Sequence, residues 1–371
     1  MKAQPAESSG GSSDRLLRAS SALADMGLDA LLLGPSADLR YLTGYSPMPL
    51  ERLILAVVFP EGEAHLIVPE LESPGAEAAT AGSIELIRWK DGADPYELVG
   101  KILRKISRVA VGDRLWTSHV LALQRQIPSA EMVPATELMG GLRSIKDPDE
   151  LDALDRAARA ADRTFELIRG QVFTGRTERD LGAELARMLV EQGHDRADFT
   201  IVGAGPNSAS PHHEPISWRI APYDVVVMDF GGELEGYFSD ITRTVVVEDE
   251  PAGFRQMYEV VSAAQEAAFQ AIKPGTRAQE VDRAARAVIG EAGWADGFVH
   301  RTGHGIGLEL HEAPYIVEGN GTPLAPGMTF SLEPGIYLPG RFGVRIEDIV
   351  VVTEDGARRL NASDRSLYVV H

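Results

Sequence analysis

The 371-residue chain contains no cysteine. Disulfides and thiol chemistry are therefore excluded, and this usage fits a cytoplasmic protein. No stretch approaches the ~18 apolar residues that a membrane span needs. Residues Met1 to Gly11 carry no apolar segment of a secretory signal. Positive charge is in deficit: 36 Lys and Arg stand against 55 Asp and Glu, a net charge of −19. Such a surface repels nucleic acid and anionic membranes, so neither is expected as a partner. What is there is globular, 44% hydrophobic and 25% charged, and long enough for two domains.

Residues 1–13 are rich in Ser and Gly and are expected to be a disordered tail. From Arg15 to about residue 145, short apolar runs alternate with helical patterns. The runs are Asp29–Leu33, Leu53–Phe59, His65–Val68, Ile84–Trp89 and Val109–Val111. The helical patterns cover Arg15–Met26, Pro69–Ala81, Pro95–Ile106 and Thr117–Gln126. This predicts an α/β domain over 14–146, with no catalytic constellation in it. A helix start then stands out. Asp147 can cap, Pro148 suits the first helical position, and Glu150 completes a capping box. The second domain is placed at 147–371, with another long helix over 252–272.

Chemistry concentrates in this second half. Asp224 to Val247 places two β-branched runs around a centre rich in Gly and Glu, which predicts a hairpin with a long loop. Folding between Leu234 and Glu235 would oppose Asp229 and Asp240, with Cβ atoms roughly 4.5–5.5 Å apart. Two carboxylates that close, in an apolar run, do not stay ionised without a cation. Met328 to Val352 reads the same way, and folding about Gly340 opposes Glu333 and Glu347. Between the hairpins lies Thr302-Gly303-His304-Gly305-Ile306-Gly307, whose alternating glycines exclude a stable helix and let the backbone crowd a ligand. Four carboxylates and a histidine suit two divalent ions, Mn²⁺ first, with Co²⁺ or Zn²⁺ as alternatives. A calcium-stabilised structural protein is disfavoured by His304, because calcium prefers all-oxygen sites.

The same half repeats itself. Residues from Thr174 to Gly193 match those from Pro274 to Gly293 at an offset of 100, and His212 falls 99 before His311. Each unit is expected to be two helices and a hairpin, donating two carboxylates to a shared seam. Phe199 to Gly205 imitates a strand entering a dinucleotide-binding loop. Pro206, Pro211, Pro215 and Pro222 forbid the helix that such a loop requires.

With these residues assembled, the chain resembles the pita-bread metallopeptidases, in the Xaa-Pro dipeptidase (prolidase) and aminopeptidase P branch. The motifs are Met228-Asp229-Phe230-Gly231, Ser239-Asp240-Ile241-Thr242-Arg243, Gly303-His304-Gly305-Ile306-Gly307 with His311-Glu312, Ser331-Leu332-Glu333-Pro334-Gly335, and Gly343-Val344-Arg345-Ile346-Glu347-Asp348. The segment from Asp38 to Tyr45 is similar to part of the branch's creatinase-type N-terminal domain. The resemblance implies an α+β catalytic domain with an internal pseudo-two-fold duplication, acting on a small peptide substrate as a homodimer. It implies Asp240 and Glu347 as ligands shared by two metal ions, Asp229 on one ion, and His304 with Glu333 on the other. Glu333 would carry a proton as general base and acid. His212 would steady the tetrahedral intermediate and His311 would contact substrate. Arg345 would either meet a substrate carboxylate or orient Glu347, with the orienting role favoured; His213 receives no role. A catalytically silent binding protein on the same scaffold is the competing class, and the filled ligand set favours the enzyme. Within the enzyme reading, Xaa-Pro dipeptides are favoured over longer Xaa-Pro-Yaa peptides.

Overall fold

The computed structural model describes residues 11–371. The chain divides into two compact units, 1–143 and 144–371. Of the expected tail, residues 1–10 lie outside the described part. Ser12 and Ser13, assigned to that tail from composition, form the first turn of a helix instead.

The first unit contains, in order, α1 (Ser12–Asp25), β1 (Ala30–Leu33), α2 (Ala37–Thr43), β2 (Leu55–Val58), β3 (Ala64–Pro69), α3 (Ser73–Thr80), β4 (Glu85–Trp89), α4 (Pro95–Ile102), β5 (Arg108–Val111), α5 (Thr117–Gln126), β6 (Glu131–Pro134) and α6 (Thr136–Ser144). The strands form one mixed sheet in the order β4-β3-β2-β1-β5-β6. Its apolar runs are buried continuously, as a sheet covered on both faces requires: all four residues of β1 and of β2 are inaccessible. Three elements are absent from the sequence reading. The helix α2 has seven residues, capped by the Ser36 side chain and closed by Gly44 at φ +74°, too short to show a helical period. Both β6 and α6 follow it in being short, and β6 is only half-buried.

The second unit opens with α7 (Pro148–Ile168). The Asp147 side chain accepts from the Glu150 amide at 2.9 Å, and the Glu150 carboxylate accepts from the Asp147 amide at 3.0 Å. Both halves of the capping box are therefore made. Next come α8 (Glu178–Glu191), β7 (Arg196–Ala204), β8 (Val225–Leu234), β9 (Tyr237–Val247), α9 (Phe254–Ala271), α10 (Ala278–Glu291), β10 (Gly303–Gly305), β11 (Glu312–Ile316), β12 (Thr329–Leu332), β13 (Gly335–Leu338), β14 (Phe342–Arg345), β15 (Asp348–Val352), β16 (Ala357–Arg359) and β17 (Tyr368–Val370). One sheet runs β17-β9-β8-β7 and another β11-β10-β12-β15-β16, with β13 and β14 forming a separate ribbon.

The repeat is visible in detail. The helices α8 and α10 each have 14 residues and start 100 positions apart. Gly175 and Gly275 both take positive φ in the turns before them. Their amides donate to Ile220 and Leu324, each at 2.8 Å. Each half has its own core. Phe165, Leu181, Leu185, Met228 and Phe230 belong to one, and Phe254, Val261, Val281, Phe330 and Val350 to the other.

Two hairpin expectations fare differently. The loop between β8 and β9 is not long: Glu235 and Gly236, at φ +52° and +94°, make a two-residue turn, the primed type that matches strand twist. The register is therefore two residues off the expected one. Asp229 faces Thr242, and Asp240 faces Gly231. The two aspartates share a face as diagonal rather than opposed neighbours. The second hairpin keeps its expected register, with Gly335 facing Arg345 and Leu332 facing Asp348. Its ladder breaks where Glu333 and Glu347 stand. There the Glu333 amide turns to the Thr302 carbonyl at 2.8 Å and the Glu347 amide to the Thr242 carbonyl at 3.1 Å.

Candidate metal centre and active site

That break brings three strand systems to one point. Asp229 and Asp240 come from β8 and β9, His304 from β10, Glu333 from just after β12 and Glu347 from just before β15. Ligand atoms of Asp240, His304 and Glu347 lie within 4.8 Å of one another. His304 Nε2 is 3.5 Å from Asp240 Oδ2 and 3.5 Å from Glu333 Oε1. Asp229 is held on the same side by Arg345, whose Nη2 donates to Asp229 Oδ2 at 2.6 Å. All five line a cavity of about 590 Å³, together with His212 and His311.

The electrostatics of the cluster are those of an incomplete charge set. Burial, reinforced by Glu347, Asp229 and Glu333, holds the Asp240 carboxyl well above the ordinary range. Burial, then Glu333 and Asp229, does the same to Glu347. Glu333 is pushed up to about 7, again first by burial. His304 moves the other way, to about 3, because burial and the neighbouring His311 disfavour its cation. A neutral imidazole keeps a lone pair for coordination. Its Nδ1 lies 3.1 Å from the Gly305 carbonyl, which fixes the tautomer that leaves Nε2 as the donor to a metal. Asp229 Oδ1, Asp240 Oδ1 and Glu347 Oε1 are buried without a hydrogen-bond partner. Orphaned carboxylate oxygens at this depth are costly. Three of them in the lining of one cavity that also holds a neutral histidine fit divalent cations, which would compensate the charge and take the free lone pairs.

Arg345 is fully committed to the protein. Besides Asp229, its Nε donates to Thr242 Oγ1 at 3.0 Å, and its Nη1 to the Tyr337 hydroxyl at 2.7 Å and the Pro211 carbonyl at 3.3 Å. Thr242 Oγ1 in turn donates to Glu347 Oε2 at 2.6 Å. One guanidinium thus ties Asp229 directly, and Glu347 through a hydroxyl, to the loop that carries His212. Behind the cluster a second buried arginine, Arg243, donates to Asp348 Oδ1 at 2.7 Å and to the carbonyls of Thr242 and Ser363 at 3.0 and 2.9 Å.

The cavity contains residues that sequence reasoning did not single out. His300 Nε2 is 2.9 Å from the Tyr337 hydroxyl, and burial with the nearby Arg345 depresses it to about 4. Arg301 lies 3.4 Å from His311 Nδ1 and 4.7 Å over the Tyr315 ring. Phe199 and Ile201 add apolar wall from β7. A signal existed for the two residues that bond Arg345 behind the cavity, Thr242 and Tyr337. Thr242 follows Asp240 by two and Tyr337 follows Glu333 by four, so in extended chain each shares a face with a ligand candidate. His311 sits with its ring 3.9 Å from that of His304. His212 is exposed on the Pro-rich loop after β7, where it faces the cavity.

Known proteins resemble the chain along nearly its whole length. Residues 152–354 match Metallopeptidase family M24, and residues 15–145 match the Creatinase/Prolidase N-terminal domain. The chain is 44% identical over 360 residues to a probable dipeptidase PepE of Mycobacterium tuberculosis, covering 96% of each protein. It is 36% identical to an Xaa-Pro dipeptidase of Lactobacillus helveticus, covering 94% of this chain and 96% of that one. The crystal structure of dipeptidase PepE from Mycobacterium ulcerans superposes with a TM-score of 0.92 at 42% identity, over 97% of this chain and 98% of the other. A match over more than half of the chain, with a relative 44% identical along nearly its whole length, shows that the chain belongs to metallopeptidase family M24.

Proposed function

We propose that the protein hydrolyses the peptide bond between an N-terminal residue and proline, with Xaa-Pro dipeptides as its substrates. The observation that carries this reading is one cavity lined by all five ligand candidates, with ligand atoms of Asp240, His304 and Glu347 within 4.8 Å of one another and buried, unpartnered oxygens on Asp229, Asp240 and Glu347. Asp229, Asp240, His304, Glu333 and Glu347 would hold two divalent ions, Mn²⁺ by preference, with Asp240 and Glu347 shared between them. Such ions lower the pKa of water and polarise a carbonyl.

The chain's own groups do the rest. Glu333, raised to about 7, is suited to take a proton from the attacking water and deliver it to the leaving nitrogen. His212 faces the cavity and serves as a donor to the developing oxyanion, while His311 contacts the substrate near the scissile bond. Arg345 orients Asp229 and Glu347; its bonds to Asp229, Thr242, Tyr337 and Pro211 favour that role over capture of a substrate carboxylate. Arg301, on the same cavity wall, is the cation placed for a free carboxylate. The protein is read as a cytoplasmic homodimer.

With Mn²⁺ supplied, Xaa-Pro is expected to be hydrolysed at least about tenfold better in kcat/KM than Xaa-Pro-Yaa, roughly 1.4 kcal/mol. Equal or better rates on the longer peptides would move the protein to the aminopeptidase P reading. No turnover of either by the metal-replete protein would favour a binding protein.

A further inference from the structure

Two of the cavity histidines, His212 and His311, are each followed by a residue whose side chain is turned into the protein. His212 and His311 are exposed to the cavity, whereas the side chain of His213 is 14% accessible and that of Glu312 is 6% accessible. Each of these followers meets a buried partner of ionisable type. His213 Nε2 is 2.8 Å from Glu178 Oε2, and Glu312 Oε1 accepts from Lys146 Nζ at 2.6 Å.

Both partners are anchored where a helix begins. Glu178 is the first residue of α8, and its side chain is wholly inaccessible. Its carboxylate also accepts from the Ala204 amide at 2.8 Å, Asn207 Nδ2 at 3.0 Å and the Ile216 amide at 3.1 Å. Those donors span the loop from 204 to 216, which contains three prolines and has little regular hydrogen bonding to hold it. One carboxylate therefore gathers the loop that presents His212. Lys146 precedes the α7 cap by one residue, and its side chain is 1% accessible. Glu312 also accepts from the Glu309 amide at 3.2 Å, so it closes the loop that presents His311. Gly307 is needed there: a Cβ would stand 2.6 Å from Glu312 Oε1 and 3.0 Å from Lys146 Cε.

We propose that His213–Glu178 and Glu312–Lys146 are positioning pairs, each fixing the residue after a cavity histidine and so holding His212 and His311 at their working places. This rests on the catalytic reading of His212 and His311. Glu178, His213, Lys146 and Glu312 touch neither the metal ligands' free oxygens nor the cavity's reacting space, and act through their neighbours.

The test is a pair of mutant cycles on the Mn²⁺-loaded enzyme, with metal content and melting temperature recorded for every variant. His213→Ala is expected to lower kcat about tenfold with two metal equivalents retained. His213→Gln, whose amide can reach Glu178, should restore most of it. In a His212→Ala background, His213→Ala should change kcat less than twofold, because the residue it positions is gone. For the second pair, Lys146→Met combined with Glu312→Gln avoids an unpaired buried charge and keeps the variant folded. It should lower kcat/KM several-fold in the wild-type background and under twofold in His311→Ala. Equal losses in both backgrounds, or loss of metal, would overturn the proposal. If His212→Ala and His311→Ala are themselves silent, the catalytic reading fails and the positioning role with it. If those two are damaging but the follower variants are silent, only the positioning role fails.

Discussion

Asp240 carries an orphaned oxygen, lies 3.5 Å from His304, and is buried against Glu347. Asp240→Ala is therefore expected to lose both ions, and metal analysis that still finds two equivalents would refute its shared role. His212 differs in kind. It is exposed and touches none of the five ligand candidates through a hydrogen bond in the structure. His212→Ala should keep both metals and lose on the order of 10²–10³ in turnover, the scale for one oxyanion donor. Wild-type turnover in that metal-replete variant would remove it from the mechanism. Arg345 shows why residue type alone leaves a role open. An arginine two positions before a ligand can face substrate or protein, and only its bonds to Asp229 and Thr242 distinguish the two.

At the scale of elements, the site depends on where strands pair and where they stop pairing. Gly231 stands opposite Asp240. A Cβ there would collide with the Ser239 carbonyl and stand 2.8 Å from the Phe199 ring. Gly231→Ala should therefore push β9 from β8, costing about 1–3 kcal/mol as overpacking does, and should weaken metal binding in the same step. Calorimetric titration of metal alongside thermal unfolding checks it. An unchanged metal affinity would show that the β8–β9 spacing does not set the ligand geometry. The registers also show what pattern reading reaches. The β12–β15 and β13–β14 register was legible because the fold-back about Gly340 was placed correctly. The β8–β9 register was not, because several positions near Glu233 to Gly236 could host the turn, and the positive φ at Glu235 is invisible in composition.

For the whole molecule, the five ligand candidates sit on paired strands or immediately beside them, backed by two large cores, not in a miniature domain nucleated by metal. Chelation is expected to abolish activity while far-UV circular dichroism at 25 °C stays near that of the loaded protein. Full unfolding would contradict this. Removing metal should also change how stability depends on pH. Glu333 has a folded value of about 7 against an ordinary 4.5, so the folded state binds the extra proton between those values. Its contribution is complete below about pH 4.5 and is lost as pH rises through 7, on the order of 3 kcal/mol. Asp240 and Glu347 shift in the same direction. His304, lowered to about 3, acts oppositely, but only below the unfolded value near 6.5. His300, His311, His194 and His119 are lowered as well, so only above about pH 7.5, where unfolded imidazoles are neutral too, do the carboxylates decide the sign. The metal-free protein should melt at a lower temperature at about pH 9 than at about pH 7.5, and the Mn²⁺-loaded protein should lose this trend. A metal-free protein equally stable at both values would place these acids outside a common buried cluster.

The sequence by itself determined the two-part organisation, the duplicated helices at an offset of 100, the capped start of α7 and the identity of the acids and histidine that meet. Each of these is written in local signals: period, cap chemistry, self-similarity, and ionisable residues in apolar runs. Only the tertiary structure decided that Asp229 and Asp240 are diagonal neighbours. It alone decided that the hairpin ladder breaks at Glu333 and Glu347 so that both turn toward other strands, and that Arg345 is consumed by Asp229, Thr242 and Tyr337. The first rests on a two-residue turn whose positive φ composition does not show, and the others on partners in other strands, up to 116 residues away in the chain, which no local pattern encodes.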